Sequence, residues 1–264
     1  MVYPSVPYME QSRHTHDIDQ AFTNQAASFN ASAVANASEI LEAILEHSRP
    51  QRGERWYEAA CGPGVISRRL AASAGSVHGV DATAAMIEIA RREAAAAELD
   101  NVTFEVGDAT ATSLPDAGFD GAVTRFSVHH IQVPSRLFAE LARVVRPGGT
   151  VAILDHLADP DADARSWAQE IERLRDPSHW ASLSDARLRE LGRDAGLDLT
   201  HEQRFPFELD FDDWLERGTD SQTARDLIEL SLADRPEGTD CFSVSTKPAG
   251  RILRLQMWIG VWRR

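Results

Sequence analysis

The chain has 264 residues, with 27 Lys and Arg against 41 Asp and Glu, for a formal net charge of −14. A hydrophobic fraction of 43% and a charged fraction of 26% are those of an ordinary folded protein and exclude wholesale disorder. Phosphate contact rests on clustered basic residues, and Lys247 is the only lysine, so no nucleic-acid partner is expected. The longest apolar candidate, around Val151–Leu154, is strand-sized, and Met1–Asp19 lacks a basic stretch followed by an apolar core. No membrane partner is expected, and the expected location is cytoplasmic. Cys61 and Cys241 form neither a CxxC pair nor part of a Cys/His cluster at zinc spacing, so no metal is expected either.

In chain order, residues 1–48 read as a helical cap behind a Pro-containing tail. Ile18, Phe22 and Phe29 fall among polar residues, and Ile40, Leu41, Ile44 and Leu45 repeat at helical spacing. Arg49–Glu54 is a turn-rich break. Residues 55–157 then alternate short β-compatible runs (Arg55–Ala60, Ser76–Val80, Val102–Val106, Gly121–Thr124, Thr150–Leu154) with helical stretches. Thr83–Leu99 is one such helix; another opens at Pro134 and places Leu137, Phe138, Leu141, Val144 and Val145 on one stripe. Strand–helix–strand repetition of this kind predicts an α/β fold, with a parallel sheet covered by helices and a ligand cleft along the strand C-termini. In residues 158–264, Trp167, Ile171 and Leu174 share a helical face that Asp176-Pro177 ends. Leu183-Ser184 reads as staple and N-cap of a helix closed by Gly196. Leu197–Leu209 is extended, Ala224–Ala233 helical, and Arg251–Trp262 a buried strand. The three zones are read as one domain, 1–264.

Chemistry is concentrated at the ends of the early strands. Glu58-Ala59-Ala60-Cys61-Gly62-Pro63-Gly64 closes the first strand; glycines there admit a ligand to the backbone, and the next helix offers free N–H groups. The same opening begins a dinucleotide fingerprint, but its third glycine position is Ser67. Asp81 ends the second strand, where a carboxylate can accept both hydroxyls of a ribose. Asp108 follows the third strand, within Gly107-Asp108-Ala109. Thr124-Arg125-Phe126-Ser127-Val128-His129-His130 follows the fourth, over the cleft. Each carboxylate alone also reads as a strand-end cap; three in consecutive β–α units point to a ligand.

With EAACGPG, HGVDATAAMIEIAR, VTFEVGDATATSLPDAGFDGAV and SVHHIQVPSRLFAELARVVRPGGTVAILD on the page, residues 21–156 resemble the class I S-adenosylmethionine-dependent methyltransferases. Within them the nearest subgroup is that of ubiquinone/menaquinone-biosynthesis enzymes and related small-molecule methyltransferases. The resemblance implies a Rossmann-like seven-stranded sheet ordered 3-2-1-4-5-7-6 with strand 7 antiparallel. It implies S-adenosylmethionine as cofactor and S-adenosylhomocysteine as product. Gly62 and Gly64 would pass under the methionine portion, with Glu58 and Ala60 in the same loop. Asp81 and Ala82 would meet the ribose, Met86 would pack near the adenine, and Asp108 with Ala109 would read its edge. Backbone at Arg125 and Phe126 would face the cofactor ammonium. Trp56-Tyr57 replaces the usual small aliphatics of strand 1, and Glu58 the commoner Asp.

Methyl transfer needs in-line positioning and exclusion of water more than side-chain chemistry. For a hydroxyl acceptor, His129 is the candidate catalytic base, with capping or packing as its alternative role. His130 is read as structural; metal binding by this adjacent pair is not expected. His156, His179 and Trp180 are candidate substrate-binding residues, each with a loop-capping or packing alternative. Phe22 and Gln25 are expected to cover the cofactor, and His14 and His16 to reach the site if the N-terminal tail folds over it. Phe207–Gly250 intervenes where the basic family pattern has a short hairpin, and reads as a substrate lid; a homodimer contact is the competing use of its apolar faces. The expected partner is a small-molecule methyl acceptor, methylated at O, N, S or C, in the setting of bacterial specialised metabolism. The alternatives are a non-methylating reaction on the same cofactor, such as a cyclisation, and a nicotinamide-dependent oxidoreductase, against which Ser67 speaks.

Overall fold

The computed structural model describes His14, Ile18, residues 20–23, 37–219, 221–248 and 250–264. Helix α1 (Ser38–Ser48) buries Ile40, Leu41 and Ile44, the stripe expected from its spacing. The α/β core follows as β1 (Arg55–Ala59), α2 (Val65–Ala71), β2 (Ser76–Asp81), α3 (Ala84–Ala96), β3 (Val102–Val106) and β4 (Phe119–Arg125). A 3-10 turn (Val128–His130) leads to α4 (Pro134–Val144) and β5 (Val145–His156). Pro134 opens α4, where a missing N–H is harmless. The helix stops at Val144, ahead of Pro147, and the chain passes directly into the long β5.

The remainder comprises α5 (Ala162–Arg175), α6 (Asp185–Asp194), β6 (Asp198–Asp210), α7 (Phe211–Gly218), α8 (Gln222–Ala233), β7 (Phe242–Lys247) and β8 (Gly250–Arg263). Ser184 caps α6 by accepting from the Arg187 amide, and Gly196 (φ 77°) ends it, as its sequence indicates. The sheet order is β3-β2-β1-β4-β5-β8-β6, the expected 3-2-1-4-5-7-6 arrangement with β8 as the antiparallel strand. An eighth strand, β7, is additional: it forms an antiparallel hairpin with β8 through the register Phe242↔Leu255 to Lys247↔Gly250.

Bulky residues in the central strands are accommodated by glycines opposite them. Trp56 and Tyr57 are fully buried in β1. Trp56 pairs in register with Gly121 of β4, and a Cβ there would lie 2.5 Å from the Trp56 ring. Gly260 likewise leaves room for Trp258 and Trp262.

The insertion between β6 and β8 is present and apolar. Phe211, Trp214, Ile228 and Phe242 are buried in one cluster with Trp167 and Ile171 of α5. The Trp167 indole N–H also donates to the Ser231 carbonyl of α8 at 2.7 Å. Among the described residues, no helix is long and apolar enough to cross a membrane.

Gly121→Ala should therefore cost about 1–3 kcal/mol, by overpacking against Trp56. That corresponds to a fall of roughly 2–10 °C in melting temperature for a chain of this size. An unchanged thermal transition would show that the β1–β4 packing is looser than described.

Candidate active site

The strand ends build the site around one turn. After β1 the chain takes left-handed backbone at Ala60 (φ 50°), Gly62 (φ 51°) and Gly64 (φ 72°). Such a conformation costs a non-glycine residue about 1–3 kcal/mol, and it persists where surrounding bonds over-determine it. Two carboxylates supply those bonds. Glu58, 3% exposed, accepts from the amide (2.7 Å) and hydroxyl (2.5 Å) of Ser67 in α2. Asp81 accepts from the Gly62 amide through Oδ2 (2.7 Å) and from the Thr83 amide through Oδ1 (2.9 Å). Ser67, informative in the sequence only as an absent glycine, is thus the partner that satisfies a buried acid. Ser at that position together with Glu58 in place of Asp was the available signal.

Burial sets the electrostatics of this floor. Desolvation raises the Glu58 pKa to about 7, against the Ser67 hydrogen bonds and the nearby Arg125 charge, which favour its ionised form. Asp81 is pushed upward by burial, against the Thr83 and Gly62 amides. Arg125 is lowered to about 10 by burial, with Glu58 opposing the shift.

A cavity of about 460 Å³ opens over these strand ends. Glu58, Ala60, Gly62, Asp81, Ala82 and Met86 line it from β1, β2 and the start of α3. Asp108, Ala109, Arg125 and Phe126 line it from the ends of β3 and β4. A Cβ on Gly62 would meet nothing within 4 Å, so the space above this loop is open to a ligand. Gly64 differs from expectation: it does not line the cavity, and a Cβ on it would come within 2.7 Å of the Phe104 ring. Its glycine serves packing. Asp108 spends Oδ1 on the amide and hydroxyl of Thr110, both at 2.8 Å.

Described residues of the N-terminal segment stand on the other side. His14, Ile18 and Phe22 line the cavity. His14 Nε2 lies 2.7 Å from the His130 carbonyl oxygen, and its ring packs edge-on against Trp180 at 5.1 Å. Phe22 meets the His130 ring edge-on at 4.9 Å. His16 and Gln25 lie outside the described residues. None of the described residues of the insertion lines the cavity.

The histidines are placed differently from expectation. His130 lines the cavity, and His129 does not. Both belong to the 3-10 turn, where successive side chains point about a third of a turn apart, so only one of an adjacent pair can face the cleft. His129 Nδ1 is held 2.6 Å from Asp155 Oδ1. Burial first, then the neighbouring His130, drives the His129 pKa well below the usual imidazole value. His156, His179 and Trp180 also stand outside the cavity lining. Instead His129, His156 and His179 come together beside it, a grouping that no local spacing reveals.

Residues 57–149 match the model of a methyltransferase domain. That segment is a methyltransferase domain by this match. It is 25% identical over 231 residues to the uncharacterized methyltransferase YcgJ of Bacillus subtilis (strain 168), covering 87% of this chain and 91% of that one. The crystal structure of YcgJ superposes with a TM-score of 0.80 at 24% identity, covering 85% of this chain and 97% of its own. Aklanonic acid methyltransferase DauC of Streptomyces sp. (strain C5) is 29% identical over 147 residues, or 54% of this chain and 67% of that one. A geranyl diphosphate methyltransferase in complex with S-adenosylmethionine shares the fold at a TM-score of 0.63 and 18% identity, covering 86% of this chain and 85% of its own.

The raised Glu58 pKa has a consequence for stability. Its folded value, about 7, exceeds the ordinary 4.5, so its contribution is fully present below pH 4.5 and is lost as pH rises through 7. Glu58→Gln, which cannot ionise, should gain in melting temperature relative to the wild type as pH is raised from about 5 to about 8. A difference that stays constant with pH would show Glu58 ionising normally in the fold.

Proposed function

We propose that this protein is an S-adenosylmethionine-dependent methyltransferase acting on an O, N, S or C centre of a small organic molecule. The observation that carries the reading is the convergence of Gly62, Asp81, Met86 and Asp108 on one cavity, with open space above Gly62. Its volume falls among those of small-molecule sites, about 300–1,000 Å³. The bound cofactor supplies an electrophilic methyl group on a sulfonium.

The chain's own residues bind and orient. Gly62 and Ala60 give backbone clearance for the methionine portion, and Glu58 steadies that loop through Ser67. Asp81 accepts from the ribose hydroxyls while its bond to the Gly62 amide keeps the loop in place. Ala82 and Met86 pack the nucleoside, and Asp108, with Ala109, accepts from the adenine amino group. Backbone at Arg125 and Phe126 meets the cofactor ammonium. His14, Ile18 and Phe22 exclude water from above, where exclusion strengthens positioning.

The base for a hydroxyl acceptor passes, in this reading, from His129 to His130. Its Nδ1 lies 3.0 Å from the Ser178 carbonyl, which can only accept, so the proton sits on Nδ1 and Nε2 keeps a lone pair. A proton leaving the acceptor would be received at Nε2. Similarity to DauC supports a specialised metabolite as acceptor. The soluble, cytoplasmic setting inferred from the sequence suits this chemistry.

Asp81→Asn, which keeps the side-chain shape, should weaken S-adenosylmethionine binding by about 10–100-fold, the loss of a charge-assisted hydrogen bond. Calorimetry reads this directly, and unchanged affinity would remove the ribose assignment. His130→Ala should lower turnover of a hydroxyl acceptor by about 100-fold or more at preserved cofactor affinity. Equal turnover would leave positioning alone as the source of catalysis.

A further inference from the structure

Three imidazoles from three separate elements meet beside the cavity wall. His129 lies in the turn after β4, His156 ends β5, and His179 stands in the loop between α5 and α6. One ligand nitrogen from each lies within 4.8 Å of the other two, and the residues are 8%, 8% and 3% exposed. Ring centroids are 4.4 Å apart for His129–His156, 5.5 Å for His129–His179 and 6.1 Å for His156–His179.

Hydrogen bonds on the outer side orient the rings. Asp155 Oδ1 lies 2.6 Å from His129 Nδ1, and Gln169 Oε1 lies 2.6 Å from His179 Nε2. Both oxygens accept, so these nitrogens carry the protons and the lone pairs remain on His129 Nε2 and His179 Nδ1. Asp155 Oδ1 is 3.6 Å from His156 Nδ1, on the same outer side. His156 Nε2 and His179 Nδ1 are buried without a hydrogen-bond partner. Unpartnered buried polar atoms are costly, at about 1–3 kcal/mol each, and one ligand between these two nitrogens would relieve both.

We propose that His129 Nε2, His156 Nε2 and His179 Nδ1 bind a divalent transition-metal ion of the zinc type. Three neutral imidazoles with no thiolate suit such an ion, and Asp155 and Gln169 are the outer partners that metal-bound histidines ordinarily have. The adjacent pair His129-His130 gave no reason to expect a metal; the ligands come instead from residues that only the fold assembles. The ion fastens the loop bearing Trp180 to the turn bearing His130. The amides of Trp180 and Ala181 already donate to the His129 carbonyl at 2.8 and 3.0 Å, and Trp180 carries His14 of the cap.

The test is a titration of the full-length protein, stripped with chelator, using Co²⁺ as probe. One equivalent should bind, with the visible absorption of a nitrogen-ligated Co²⁺ that Zn²⁺ then displaces, and Zn²⁺ should raise the melting temperature of the stripped protein. His156→Ala and His179→Ala should each weaken Co²⁺ binding by about 100-fold or more. His201→Ala, on the exposed part of β6, should leave it intact. Failure of the wild type to take up a stoichiometric ion overturns the proposal whether or not the variants fold. Binding that survives unchanged in both histidine variants overturns it equally.

Discussion

The hydrogen bond from the Gly62 amide to Asp81 is the constraint on which the rest of the site depends. A chain leaving a buried strand into three left-handed residues has no local reason to remain there, and Ala60 is strained in doing so. Asp81, at the end of the neighbouring strand, fixes the loop from one side; Glu58, in β1 itself, fixes the start of α2 from the other. The same bond, with the Thr83 amide, opposes the burial that raises the Asp81 pKa. Loop shape and the charge available to a ligand are therefore set by the same carboxylate.

Packing in the sheet protects that arrangement. Trp56 would overfill β1 between two ordinary strands, and Gly121 on β4 removes the side chain that would collide. Gly260 does the same for Trp258 and Trp262 on β8. These pairings let large rings fill the interior, so the strand ends are carried on a densely filled layer. The insertion contributes to this interior and not to the cavity: Phe211, Trp214, Ile228 and Phe242 bury themselves against α5. Its sequence, apolar and placed after β6, looks the same whether it covers a ligand or a helix.

Periodicity disclosed the individual elements because its signals are local, whereas the strand order followed from the family resemblance. The stripe of α4, the Ser184 cap and the strand-end carboxylates each lie within a few residues, and their positions agree with the structure. The hairpin strand β7 was not anticipated: Phe242 and Val244 alternate with Ser243 and Ser245 over only six residues, next to Pro248. The histidines were not legible in the same way. Which of His129 and His130 faces the cleft depends on the phase of a three-residue turn, and no pattern of apolar residues records that phase. The meeting of His129, His156 and His179 depends on the parallel register of β4 and β5 and on a distant loop.

One wall of the cavity is tied together through His130. His130 touches Phe22 through its ring and His14 through its carbonyl, while its Nδ1 is tied to Ser178 in the α5–α6 loop. The described residues of the cap, the turn after β4 and that loop are therefore joined through His130. A displacement of His14 would act on both His130 and Trp180, the two residues it contacts. In the proposed reading, acceptor fit is set by this joint and not by the insertion. Substitutions on the cap and in the Asp176–Trp180 loop would then change acceptor choice, while those in α7 and α8 would act through stability.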